Sequence, residues 1–419
     1  MPAPGNRIGP HFLRHPELTL PPAPSVLALT PLQRMFSLAA VIAASFGVGL
    51  TFGVGAPLTA LTLEQWHQPN WFIGLASALP SLAVLLVLPF APAWAARMGA
   101  VPAILSGCVC TAGGYIAMYY FQSPVAWLVI RFVMCSGLAL PWLIGETWIN
   151  AASLPETRGR VIALYAISFF MGFAAGPAIL DITGITGIWP FLAGAAGAFL
   201  GGIPILIAAR FAPDMTQEDQ TMSVWSAMWL APLGIAGGFI AGCVEMSYFS
   251  LLANVGVAGG MPSDDALHLL ALLTLGGGVL QFGIGWMADK FKRSHVLLAL
   301  CAAFVVLSLA LPWALSASMF AAAMAFVLGG IVLGFYTVGL AVIGDEVSLK
   351  DLASANAAFL VMYSIGGITG PLIAGSAMTL APVGGFVAAV SAIVLSSAAA
   401  IIFMERRRKQ PGMLAVAPF

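Results

Sequence analysis

A chain of 419 residues that is 60% hydrophobic and only 8% charged cannot clothe a soluble fold, which needs roughly 25% charged residues. Its 16 basic and 16 acidic side chains sum to +0, which excludes the basic surface of a nucleic-acid binder. Cys108, Cys110, Cys135, Cys243 and Cys301 lie in apolar runs without metal-ligand or disulfide-framework spacing, so they read as small packing residues in a chain whose main solvent is lipid.

In chain order, residues 1–34 hold Pro2, Pro4, Pro10, Pro16, Pro21, Pro22, Pro24 and Pro31 and read as a disordered cytoplasmic tail. The first apolar run is full length and begins after Arg34, so it reads as an uncleaved anchor rather than a signal peptide. A membrane helix needs about 20 apolar residues, and twelve such windows follow, at about 35–61, 72–95, 101–121, 125–150, 160–181, 188–210, 226–256, 266–288, 295–314, 318–343, 352–377 and 383–404. They divide into a first six-helix half (35–210), a cytoplasmic linker (211–225) and a second half (226–404), closed by a basic cytoplasmic tail (405–419). Trp66, Trp71, Trp127 and Trp148 fall at span ends and read as interfacial anchors.

Lys and Arg fall in every second loop between these windows. Arg7, Arg14, Arg34, Arg97, Arg158, Arg160, Arg210, Lys290, Lys292, Arg293, Lys350 and the run Arg406 to Lys409 place 15 of the 16 basic residues on one side. The positive-inside rule makes that side, and both termini, cytoplasmic.

The chain also repeats itself. Gly172-x-x-x-Gly176-Pro177 in the fifth span returns as Gly366-x-x-x-Gly370-Pro371 in the eleventh, a shift of 366 minus 172, or 194. The loops around Ala96-Arg97 and Asp289-Lys290 correspond with a shift of 193. Two parallel six-helix bundles follow.

Gly285, Asp289, Lys290 and Arg293 match the loop signature G-x-x-x-D-[RK]-x-x-[RK] of the major facilitator superfamily, Arg131 sits where members often carry a membrane-embedded Arg, and Gly172, Gly176 and Pro177 resemble part of its fifth-span signature. The stretch containing Arg131-Phe132, Gly137, Trp142, Glu146, Pro155, Arg158-Gly159-Arg160 and Tyr165 is similar to the YcaD-like bacterial branch. The resemblance implies an all-α membrane protein of twelve transmembrane helices in two pseudo-symmetric bundles, with a solute cavity between them lined mainly by the first, fourth, seventh and tenth spans. It also implies a flexible seam between bundles at the helix kinks Gly176-Pro177 and Gly370-Pro371. The first-half loop departs from the signature, with Pro92 and Ala96 at its glycine and acidic positions, which shifts the charge lock to the copy around Asp289.

An ionisable group deep in lipid costs several kcal/mol, so Arg131, Glu146 and Glu245 are the first site candidates. At ~1.5 Å per residue, Arg131 lies about 10 Å and Glu245 about 16 Å into their spans from the external end, depths that allow a pair across the cavity. In that reading Glu245 exchanges a proton and Arg131 tunes it or holds an anionic group; the competing reading has each satisfied within its own bundle, Arg131 on backbone carbonyls. Glu146 is about 22 Å from Arg131 along the same helix. It reads as part of a cytoplasmic gate cluster with Arg158, Arg160, Asp289, Lys290, Arg293, Asp345 and Glu346.

Trp142, Tyr248, Asn254, Gln281, Tyr336, Thr337, Asn356 and Tyr363 are candidate cavity-lining residues. Few charges and few amides suit a small organic or amphipathic solute better than a sugar or polyanion. There is no phosphate-binding G-x-x-x-x-G-K-[ST] and no H-E-x-x-H, so no enzyme and no ATP-driven pump is indicated, and no cofactor or metal is called for. The expectation is a monomeric secondary transporter of the bacterial inner membrane, its partners a solute, protons and the bilayer, with proton-coupled export as the first reading. Uptake by symport, and a non-transporting assembly factor or sensor on the same fold, remain as alternatives.

Overall fold

The computed structural model describes residues 30–154, 157–212, 223–348 and 351–408, all of whose regular structure is helical. The helices are α1 (Pro31–Gln65), α2 (Asn70–Val87), α3 (Ala91–Met98), α4 (Ala100–Tyr120), α5 (Pro124–Ala152), α6 (Arg158–Thr183), α7 (Trp189–Ile207), α8 (Val224–Ala227), α9 (Pro232–Ala258), α10 (Ser263–Lys290), α11 (Arg293–Ala314), α12 (Ser318–Glu346), α13 (Leu352–Met378) and α14 (Pro382–Arg408). Twelve of them are long and apolar enough to cross a bilayer. Most of the tail expected at 1–34, and much of the linker and the C-terminal tail, lie outside the described residues.

Local chemistry explains where the helices start. Thr30 and Gln33 cap each other's backbone N–H groups at 3.3 and 3.0 Å, and Pro31 fills the first turn, so α1 begins before Arg34 rather than after it. Two expected spans are shorter than their apolar windows. Pro89 and Pro92 end the second at Val87 and leave α3 as a separate turn, and Pro232 separates α8 from α9 by barring helical backbone at Ala231.

Helices α1, α2 and α4 to α7 form one bundle, and α9 to α14 the other. The repeat is structural: α5 and α12 are both 29 residues long, displaced by 194 at each end (318 minus 124, 346 minus 152). The same backbone contact recurs in each half, Gly172 lying on the Phe46 carbonyl of α1 and Gly366 on the Phe239 carbonyl of α9, with no room for a Cβ at either. In lipid, where apolar side chains gain nothing by leaving the solvent, such backbone approach is what holds helices together. Val109, Val129, Leu206, Val306 and Leu395 are exposed and form part of the lipid-facing surface.

The bundles meet along α2 with α13, α6 with α10, and α1 with α9. The glycine-proline pairs do not sit in that seam as a unit. Gly176 packs on Gly53 of α1 and Gly370 on Cys243 of α9, each inside its own bundle, while the Pro371 carbonyl meets Gly74 of α2 across the boundary. Helices α6 and α13 run on through Pro177 and Pro371.

Two of the expected interfacial tryptophans are core residues. Trp127 and Trp148, near opposite ends of α5, are buried in the first bundle because both rings turn inward, their indole N–H groups donating to the Met118 carbonyl of α4 (3.0 Å) and to Ser37 Oγ of α1 (2.9 Å). Trp66 packs on Trp127 at 4.7 Å, and Trp71 is 49% exposed.

Candidate functional site between the bundles

Helix α9 is the most enclosed span, with 83% of its most apolar stretch buried against 39% for α11. A charge on it is therefore held by protein rather than lipid. Gly242 lies on the Tyr363 carbonyl with no space for a side chain, so α9 and α13 touch backbone to backbone. That approach brings Tyr363 Oη to Glu245 one turn away, donating to Oε2 at 2.8 Å. Glu245 is 4% exposed, and its Oε1 has no partner. Tyr336 of α12 stands edge-on to Tyr363 (5.4 Å) and to Phe359 (5.0 Å), within electrostatic reach of both Glu245 and Glu146. A carboxyl so placed accepts two hydrogen bonds when ionised and gains a donor when protonated, so one proton changes what it can hold.

Arg131 of α5 is 3% exposed and donates from Nη1 to the Gly55 carbonyl of α1 at 2.8 Å. Glycine is required there, since a Cβ at residue 55 would lie 2.5 Å from Tyr115 Oη and 3.3 Å from Arg131 Nη1. Tyr115 in turn donates to the Thr51 carbonyl at 2.6 Å. Arg131 Nε has no partner. The side chain borders a void of about 30 Å³ between the bundles, walled by Thr51, Cys135 and Phe173 on one side and Met246, Phe249 and Ser250 of α9 on the other. The expected Arg131–Glu245 pair is not formed: among the described residues Arg131 makes no ion pair, and each group makes its hydrogen bond within its own bundle while keeping one polar atom unpartnered. Comparable depth along two helices does not make their side chains face one another.

Other candidates fall into different places. Trp142 lies between the bundles edge-on to Phe52 (6.0 Å) and donates its indole N–H to Glu146 Oε1 at 2.9 Å. Glu146 is half-buried on Trp142 near Tyr165 and Tyr336 and, among the described residues, makes no ion pair; Arg160 is exposed, and the Arg158 side chain lies outside the described residues. Tyr248 is not a cavity residue: it turns into the second bundle's core, sharing a 2.8 Å bond with Ser308 and edge contacts with Phe304 and Phe386. Thr337 donates to Gln281 Oε1 at 2.5 Å within the second bundle, and Asn356 is half-buried on α13.

Asn254 belongs to the end of the molecule opposite the basic loops. It donates to the Ala60 carbonyl (3.2 Å) and to Glu64 Oε2 (2.5 Å) of α1, across the bundle boundary. Glu64 escaped sequence reasoning because the apolar window stops at 61, whereas α1 continues to Gln65; its four-residue spacing from Ala60 was the available signal. Two more contacts cross at the same end, Asn70 to the Met378 carbonyl (3.1 Å) and His268 to Asp181 (3.1 Å).

At the basic end, Asp289, Lys292, Arg293, Asp345, Glu346 and Glu405 converge on a crevice of about 600 Å³ in the second bundle. Arg293 pairs with Asp345 at 2.9 Å and also bonds the Ala341 carbonyl, and Ser294 bonds Glu405. Lys290 is exposed over the Trp286 ring, and Gly285 has open space where a Cβ would be. Among the described residues no group of His, Cys, Asp and Glu could hold a metal ion.

The Major Facilitator Superfamily profile matches residues 234–417. The chain is 27% identical to an uncharacterised MFS-type transporter, YcaD, of Escherichia fergusonii, over 77% of this chain and 84% of that one. It is also 27% identical to the YcaD of Salmonella enteritidis, over 78% and 85%. Among solved structures, an inward-facing, unoccupied bacterial homologue of the human lysosomal transporter Spinster superposes with a TM-score of 0.71 at 16% identity, covering 90% of this chain and 98% of that one. The nucleoside transporter NupG does so with 0.69 at 14% identity, covering 88% and 99%.

Proposed function

We propose that the chain is a multi-pass secondary transporter of the major facilitator superfamily, coupling proton movement to export of a small organic or amphipathic solute across the bacterial inner membrane, its basic loops and both termini in the cytoplasm. One observation carries the coupling: Glu245 is a buried carboxyl on the innermost helix, bonded on one oxygen by Tyr363 and open on the other. Proton occupancy there changes the hydrogen bonding at the junction of α9, α12 and α13, the lever by which a proton biases one arrangement of the bundles over the other. Alternating access is supported by the closed centre: a void of about 30 Å³ admits a water but no organic solute, so the bundles must part for one to enter.

The test starts with a solute screen by thermal stabilisation, followed by flux in proteoliposomes under an imposed pH gradient. Glu245→Gln is expected to lower gradient-driven accumulation by more than about tenfold while leaving solute exchange without a gradient. Unchanged gradient-driven accumulation would remove Glu245 from coupling. The sign of the accompanying pH change separates export by exchange from uptake by symport. A protein that moves no solute and co-purifies with a stable partner would be an assembly factor or sensor instead.

A further inference from the structure

Arg131 is a permanent cation with a rigid fork of donors, and among the described residues only its Nη1 bond to the Gly55 carbonyl accounts for it. At 3% exposure, with Nε unpartnered and no carboxylate paired with it among the described residues, the charge lacks the complement that a buried ion requires. It borders the void where the bundles meet, and it does so among aromatic walls, Phe52 and Phe173 on one side and Phe249 on the other, with Phe173 and Phe249 rings 4.5 Å apart across the boundary. Thr51 and Ser250 add hydroxyl groups on opposite faces of the same void.

From this juxtaposition we infer that the missing complement is supplied by the solute: the protein takes amphipathic monoanions, whose carboxylate or similar head sits on Arg131 and whose apolar body lies between Phe52, Phe173 and Phe249. A planar two-oxygen head matches the guanidinium fork. One cation offers no partner for a second anionic group, so dianions are disfavoured, and a neutral or cationic isostere leaves the charge unanswered or opposed. The inference rests on the reading of the space between the bundles as the solute path, and it names the solute class that reading left open.

The experiment is equilibrium binding to the full-length protein in nanodiscs, using naphthoate, its uncharged isostere naphthylmethanol and its cationic isostere naphthylmethylammonium, with decanoate as a second monoanion. Naphthoate is expected to bind at least about tenfold tighter than the alcohol, with the amine weakest. Arg131→Gln should erase that preference without weakening the alcohol, and Arg131→Lys should restore part of it, an outcome that separates anion recognition from a merely structural arginine. Melting temperatures show which variants are folded. Equal affinity for the three isosteres, an anion preference that survives Arg131→Gln in folded protein, or no saturable binding of either anion to the wild type would overturn the inference. Glu245→Gln is expected to keep the anion preference at fixed pH, so unchanged gradient-driven accumulation in that variant with anion binding intact counts against the coupling role alone.

Discussion

The two ends of the molecule are held together differently. At the end where α1 and α9 finish, polar bonds tie one bundle to the other: Asn254 to Glu64 and Ala60, Asn70 to Met378, His268 to Asp181. At the basic end, the bonds of Arg293 with Asp345, Ser294 with Glu405 and Trp148 with Ser37 each lie within one bundle. The first set must break for the bundles to part at that end, whereas the second travels with each bundle as it moves. In a rocking transporter only the first kind stores a preference between states.

A wedge should disturb this contrast most. The Pro371 carbonyl sits against Gly74 with no space for a side chain, so Gly74→Leu is expected to push α2 from α13 and raise the labelling rate of Ala60→Cys, 1% exposed in the native residue, by well over about tenfold with a membrane-impermeant maleimide. An unchanged rate would mean that the α2–α13 contact does not hold that end shut. Glu64→Ala comes next. A hydrogen bond to a charged group is worth about 1.5–3 kcal/mol, which corresponds to roughly a tenfold or greater rise in the same rate.

Arg293→Gln removes a pair in which Asp345 is 60% exposed, and the cost should stay near about 1 kcal/mol. It should lower the melting temperature slightly and leave labelling at the opposite end alone; a large labelling change would show that the basic end holds the bundles together after all. The smallest effect is expected from His268→Ala. That contact is more than half exposed on the histidine, so its removal should alter labelling by less than about twofold, and by nothing measurable in high salt.

Span number and repeat were legible because lipid leaves a blunt record: every crossing is a long apolar run, and the glycines that allow backbone contact recur at fixed shift. Side-chain direction was not legible for the helix that matters most. Helix α9 is apolar on every side and enclosed on every side, so no polar stripe marks its faces. Glu245 and Tyr248 share a face by spacing, yet three residues of rotation send one to α13 and the other to α11. The Arg131–Glu245 pair failed for the same reason, depth being readable from rise per residue and azimuth not. Glu64 was lost to a rule that ends spans where polarity begins, although backbone capping sets where a helix ends.

The arginine beneath the void has one more consequence. A fixed charge without a counter-charge among the described residues of its own bundle also responds to voltage, since a whole elementary charge crossing the membrane field changes energy by about 2.3 kcal/mol per 100 mV. On the proposed anion-binding, rocking mechanism, the empty protein would displace Arg131 through part of that field, whereas a protein with an anion seated on the guanidinium would move a neutral pair. With Glu245 protonated in both cases, membrane potential would then act on the return of the empty protein and leave the loaded stroke nearly untouched.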